Sequence, residues 1–137
     1  MWFSQYGDPH INGYYTQGNT IWLGRRSETK PTDPGKLDNL AAGGITADET
    51  PWVSARRELW EEASVPEQIA AQIEPVGRIH MRRPTPGRGF HDEQLYIYDL
   101  ELVDNFVPTN HDGEVSGFIE ISLPESWPMS SLLMQPL

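Results

Sequence analysis

The chain contains no cysteine. That excludes disulfides, thiolate metal sites and a cysteine nucleophile, and it fits a cytoplasmic location. Long apolar runs are missing too. No stretch approaches the roughly 20 residues that span a bilayer, and the mean hydropathy is −0.54, so no membrane partner is expected. The opening MWFSQYGDPH has neither a basic start nor an apolar stretch and does not read as a secretion signal. Basic residues are scarce: 10 Lys and Arg stand against 20 Asp and Glu, a formal net charge of −10. Binding a nucleic-acid backbone would need a concentrated basic face against that balance, so no nucleic-acid partner is expected. A small anionic substrate would need a metal ion or local arginines to offset repulsion. There is no internal repeat or low-complexity linker, and 137 residues suffice for one domain with one core.

What the chain does have is a dense run from Gly43 to Val65, GGITADETPWVSARRELWEEASV. Thr50-Pro51 reads as a helix start, a Thr N-cap followed by Pro at the first helical position. Helix formers continue to Ala63, and Trp52, Ala55, Leu59 and Ala63 recur at three- and four-residue steps as a buried stripe. Glu58, Glu61 and Glu62 share another face at the same steps. Like charges so placed repel by a few tenths of a kcal/mol each, about what i,i+4 pairs carry. A cation among them removes that cost, and hard divalent ions prefer carboxylate oxygens, with substrate phosphates completing the shell. Clustered Glu more often marks a solvated helix face. The case for a metal site rests on the whole spacing.

That spacing resembles the Nudix box, G-x5-E-x7-R-E-U-x-E-E-x-G-U, in which U is a bulky aliphatic residue. Gly43, Glu49, Arg57, Glu58, Leu59, Glu61, Glu62 and Val65 fit it, and only Ser64 departs, replacing the second glycine. The resemblance implies an α/β protein with the Nudix fold, an α/β/α sandwich around a mixed β-sheet, forming a single domain over 1–137. It also implies hydrolysis of a diphosphate linkage with Mg2+ (or Mn2+). Glu58, Glu61 and Glu62 would hold the metal, Gly43 would offer its carbonyl, and Glu49 with Arg57 would tie the loop to the helix. Gly44 is expected either to let the backbone approach the metal or only to supply a turn conformation closed to other residues. A left-handed cap at Ser64 would carry some strain, with Pro66 stopping the helix just beyond.

Strands are expected at 10–16, 20–25, 37–42, 73–83, 93–102 and 117–121. Turns are expected at 17–19 and 110–113, a loop at 84–89, and a short helical piece at 66–71. Strands before and after a central helix indicate a mixed α/β domain. Outside the box, HINGY at 10–14, WLGRRS at 22–27, Lys30, PGKLDN at 34–39, YDL at 98–100, FVP at 106–108 and DGEV at 112–115 extend the resemblance over residues 9–123. They are similar to the Nudix group that includes domains fused to thiamin pyrophosphokinase and plant Nudix hydrolases. That group acts on thiamin diphosphate and its oxo and oxy forms, releasing the monophosphate and phosphate. Its members carry a further segment ahead of the domain and a C-terminal helix. Here the first strand comes almost at once, and residues 124–137, with Pro128 and Pro136, lack clear periodicity.

Further candidates lie outside the box. Glu114, after a turn, corresponds to a region where many Nudix enzymes place a metal ligand or general base; the base is either Glu58 or Glu114. Arg25, Arg26 and Lys30 form one candidate phosphate-binding set, since arginine forks match phosphate oxygens. Arg78 and Arg82, with His80 between them, alternate on one strand and form a second. Trp22, Phe90, Tyr96 and Tyr98 are candidates to stack on a heteroaromatic ring or to fill the core. Asp38-Asn39 either contacts substrate or bends the chain. Rival functions remain: hydrolysis of a nucleoside diphosphate derivative such as ADP-ribose, a dinucleotide or a nucleoside triphosphate, and a non-catalytic Nudix sensor. Isopentenyl diphosphate isomerases share the fold but use a cysteine, which is absent here. The apolar end, 127–137, is a candidate homodimer contact.

Overall fold

A computed structural model of the chain describes residues 7–17, 19–30, 34–45, 48–85, 87, 89–103 and 105–123. The tail singled out as a dimer contact, the end without helical periodicity and the side chain of Phe90 lie outside the described residues. The elements are β1 (Gly7–Tyr15), β2 (Thr20–Arg26), β3 (Leu37–Asp38), β4 (Ala41–Ala42), α1 (Pro51–Ala63), α2 (Glu67–Ala70), β5 (Glu74–Thr85), β6 (Gly89–Glu101) and β7 (Val115–Ser122).

Helix α1 spans the expected residues. Thr50 is extended, and its hydroxyl accepts from the Val53 amide at 3.2 Å, with Pro51 opening the first turn. Ala55, Leu59 and Ala63 are fully buried, with Trp52 packed at the margin. They meet Ile11 of β1, Leu40, Ala41 and the β6 residues Tyr98 and Leu100 in one cluster. Leu59 alone contributes about 2 kcal/mol through burial. Next to this apolar stripe runs a polar one. Ser54, Glu58 and Glu62, at four-residue steps, are also buried.

The mixed sheet has the order β3-β2-β1-β6-β5, with β4 on β1 and β7 on β2. β1 and β6 are parallel from Gly7↔Gln94 to Tyr14↔Glu101, and the other pairs are antiparallel. β2 pairs with β1 only through Thr20–Trp22. Further along, β2 turns to β3 and β1 turns to β4, so the two strands splay and residues 37–42 fill the opening. The strand expected over 37–42 is therefore two short pieces. It breaks at Asn39-Leu40, where the chain leaves β2 for β1. The expected loop at 84–89 is also narrower than the sequence suggests. β5 and β6 pair as far as Thr85↔Gly89, because their antiparallel ladder carries a proline-bearing stretch into strand.

Candidate active site

The opening between β1 and β2 forms a pocket of about 410 Å3. Its inner wall is the polar stripe of α1. The Glu58 and Glu62 side chains are nearly buried, at 6% and 7% exposure, and share a hydrogen bond. Glu62 accepts the Ala42 amide at 3.1 Å. Burial pushes both carboxyls up. For Glu62 the Ala42 hydrogen bond opposes the shift and the Glu58 charge adds to it, giving about 9. For Glu58 the Arg57 charge offsets part of the rise.

Glu61 behaves differently. It is 40% exposed and turns to the outer flank, where its carboxylate accepts from Arg57 at 3.0 Å. The three box carboxylates thus do not share one environment, since the 100° helical step places Glu61 beyond the pocket edge. Arg57 forks onto Glu49 at 2.7 and 2.9 Å and reaches Glu58 at 3.0 Å and the Gly44 carbonyl at 3.3 Å. One guanidinium thereby joins the loop before α1 to the helix.

Gly43 and Gly44 line the pocket. A Cβ on Gly43 would lie 2.3 Å from the Glu58 carboxylate, so close approach requires glycine there. Gly44 has no positive φ, which corrects the turn-conformation alternative. The left-handed position is Ser64, at φ 60° and ψ 33°.

A third wall comes from the 110–114 loop. Carboxylate oxygens of Glu62, Asp112 and Glu114 lie within 4.8 Å of one another. Sequence reasoning missed Asp112, which is remote from the box. Its signal was the DGE triplet already singled out for Glu114. This all-oxygen set, one buried carboxyl and two exposed ones with the buried Glu58 beside Glu62, fits a hard divalent cation.

Arg26 and Lys30 also line the pocket. Arg26 contacts Asp38 at 3.4 Å and Lys30 contacts Glu114 at 3.2 Å. The remaining wall is polar. His10 Nδ1 meets Asn39 Oδ1 at 2.8 Å, so that nitrogen carries the proton. Asn39 donates to Asn12 at 2.6 Å, and Asn12 donates to Asp99 at 3.1 Å. Burial raises the Asp99 carboxyl, and the Asn12 bond partly opposes it. Asp8, His10, Asp38 and Asn39 line the pocket; Asp8 carried no signal in the sequence, and His10 only as part of the HINGY match.

Other candidates lie elsewhere. The Arg25 guanidinium is outside the pocket, donating to the Gly35 carbonyl at 2.8 Å, because the alternation of β2 that turns Arg26 inward turns Arg25 out. Arg78 and Arg82 do share a strand, but that strand is β5, at the far edge of the sheet. Arg82 and His80 there contact Asp92 at 3.2 and 3.5 Å. Trp22 lines an adjoining hollow with Phe118 and Val107, separated from the main pocket by Val115. Tyr98 is core, edge-on to Trp52 at 6.2 Å, and Tyr96 packs against the core. None of the described helices is long and apolar enough to cross a membrane.

Comparison with known proteins places this geometry. The NUDIX domain family matches residues 10–131. Nudix hydrolase 24, chloroplastic, of Arabidopsis thaliana is 39% identical over 111 residues, 80% of this chain and 30% of that one. The chain spans about a third of the length of the curated relatives it matches. Among solved structures, DR0079 from Deinococcus radiodurans superposes with a TM-score of 0.66 at 24% identity, covering 85% of this chain and 66% of that one. The NUDIX domain of Shewanella oneidensis NrtR, solved with ADP ribose, gives 0.63 at 20% identity, covering 99% and 80%. These structures share the Nudix fold, a mixed sheet with helices packed in an α/β/α arrangement. With nearly all of its length inside the family match, the chain belongs to the Nudix domain family.

Proposed function

We propose that this chain is a Nudix hydrolase that cleaves the diphosphate linkage of a small organic diphosphate, thiamin diphosphate or an oxidised analogue of it, to the monophosphate and phosphate. The observation that carries the reading is a pocket lined by Glu58, Glu62 and Glu114 together with Arg26 and Lys30, with the Asp112 carboxylate close to those of Glu62 and Glu114. Glu58, Glu62 and Glu114, with the Gly43 carbonyl and Asp112, would hold Mg2+ (or Mn2+), and Glu61 would act from the flank. The bound ion would supply charge neutralisation at the phosphoryl oxygens and a more acidic water.

The chain's own residues do the rest. Glu49 and Arg57 hold the loop so that Gly43 meets Glu58. Arg26 and Lys30 orient the diphosphate. Glu58 or Glu114 takes the proton from the attacking water. The water oxygen bonds to phosphorus, the bond to the bridging oxygen breaks, and the monophosphate departs from phosphate. Positioning and charge neutralisation supply most of the rate. The thiamin assignment is supported by the sequence resemblance outside the box. It also draws on the polar wall of His10, Asp38 and Asn39, which suits a ring bearing hydrogen-bond donors. A cytoplasmic location belongs to the same reading.

The second reading is a nucleoside diphosphate substrate, favoured by the fold-level likeness to the domain solved with ADP ribose. The test is release of phosphate and monophosphate with Mg2+ across thiamin diphosphate, its oxo and oxy analogues, ADP-ribose, dinucleotides and nucleoside triphosphates. Preference for the thiamin compounds is expected. Preference for a nucleotide replaces the substrate and keeps the chemistry. Ligand binding without turnover on any of them overturns the enzyme reading in favour of a sensor.

A further inference from the structure

Ser64 is the one box position that departs from the family pattern, and it is held in the left-handed region that glycine favours. Its side chain is not idle. The Ser64 hydroxyl donates to the Thr109 carbonyl at 2.7 Å, and the Thr109 hydroxyl donates back to Ser64 Oγ at 2.7 Å. Around this pair the loop takes up the open carbonyls at the end of α1. The Thr109 amide donates to Ala63 at 3.2 Å, the His111 amide to Glu61 at 3.0 Å and the Asn110 side chain to Glu62 at 3.1 Å. His111 stacks on Trp60 with ring centroids 4.7 Å apart. Asn110 then donates to Asp112 at 2.9 Å, and Asp112 accepts the Glu114 amide at 2.9 Å.

We infer that Ser64 is a positioning residue: its hydroxyl latches the 109–114 loop to the end of α1 and thereby sets Asp112 and Glu114 against Glu62. The inference rests on the metal-dependent reading of this pocket. A glycine at 64 would relieve the backbone and keep the helix cap, yet it would remove both side-chain hydrogen bonds to Thr109, leaving that residue its amide bond to Ala63. Stability and site order are therefore expected to move in opposite directions.

The test is Ser64→Gly, with Thr109→Val and the double variant. Four quantities are read: Tm, amide hydrogen exchange at Thr109 and His111, Mn2+ affinity of the protein without substrate, and kcat with Mg2+. Ser64→Gly is expected to keep or raise Tm, speed exchange at both amides, and weaken Mn2+ binding and kcat by roughly tenfold, as for outer partners of metal ligands. The double variant should be no worse than Thr109→Val alone. Unchanged exchange and Mn2+ affinity in Ser64→Gly overturns the latch. So does a parallel fall of Tm and activity, which would make Ser64 merely structural. If the wild-type protein hydrolyses none of the diphosphates, the catalytic reading fails, while exchange and Mn2+ binding still decide the latch.

Discussion

Two regions of this sheet carry strings of basic residues. Arg25 and Arg26 end β2 and Lys30 follows it; Arg78, His80 and Arg82 lie on β5. In sequence they are equally good candidates for holding a diphosphate. In the fold they part company. β2 borders the opening where β1 and β2 splay, and there Arg26 and Lys30 line the same pocket as the buried Glu58 and Glu62. β5 is the last strand of the sheet order, and Arg82 and His80 there meet Asp92 on an exposed surface. A basic strand comes to line a pocket here where the sheet opens. Charge pattern marks candidates, and strand pairing selects among them.

Mutation of the opening should hurt far more than mutation of the edge, beginning with its carboxylates. Glu62→Gln is expected to lower kcat about a thousandfold, within the range for losing a group at the reacting centre, with little loss of Tm. Activity close to wild type would place the reaction outside the opening. Gly43→Ala comes next. Its methyl must displace the Glu58 carboxylate, 2.3 Å from the new Cβ, and a displacement on that scale costs about a hundredfold in kcat. A structure of the variant with Glu58 unmoved would contradict the close-approach argument.

The basic sets provide the direct comparison. Arg26→Ala or Lys30→Ala should raise KM about tenfold, the loss of one charged hydrogen bond. Arg78→Ala and Arg82→Ala should leave kcat/KM within about twofold, as exposed substitutions do. Equal effects in steady-state kinetics would erase the distinction between the two regions.

The smallest effect is on stability. Burial raises the folded-state pKa of Glu62 to about 9, against about 4.3 in an unfolded chain. The folded protein therefore keeps a proton that the unfolded chain has released. This contribution is fully present below pH ~4.3 and is lost as pH rises through the folded value. In chelator, Tm should fall between pH 6 and 9. Divalent cation should restore more Tm at the alkaline end, and Glu62→Gln should flatten the profile. Thermal melts that rise with pH over this window would mean that Glu62 is already ionised when folded.

The fold was legible where local chemistry governs. Thr50, Pro51 and the Ala55-Leu59-Ala63 stripe set the helix to the residue, because capping and periodicity are properties of neighbouring positions. Strand ends were less legible, since β5 and β6 extend as far as each finds a partner. Within the site, the box fixed Gly43, Glu58 and Glu62 at the pocket. It did not reveal that Glu61 turns to the flank, that Asp112 arrives from the far end of the chain, or that Arg25 points away.

The amino-acid order alone thus placed the carboxylates on one helix and a glycine where one of them needs room. Those are short-range relations, carried by helical spacing and backbone sterics. Which of the carboxylates faces the pocket, which cations line it and what holds the 109–114 loop were settled by the splay of β1 from β2 and by the docking of that loop on α1. Such relations join residues as far as 104 positions apart, as Asn19 and Leu123 are at the sheet's other end, and no local pattern encodes them.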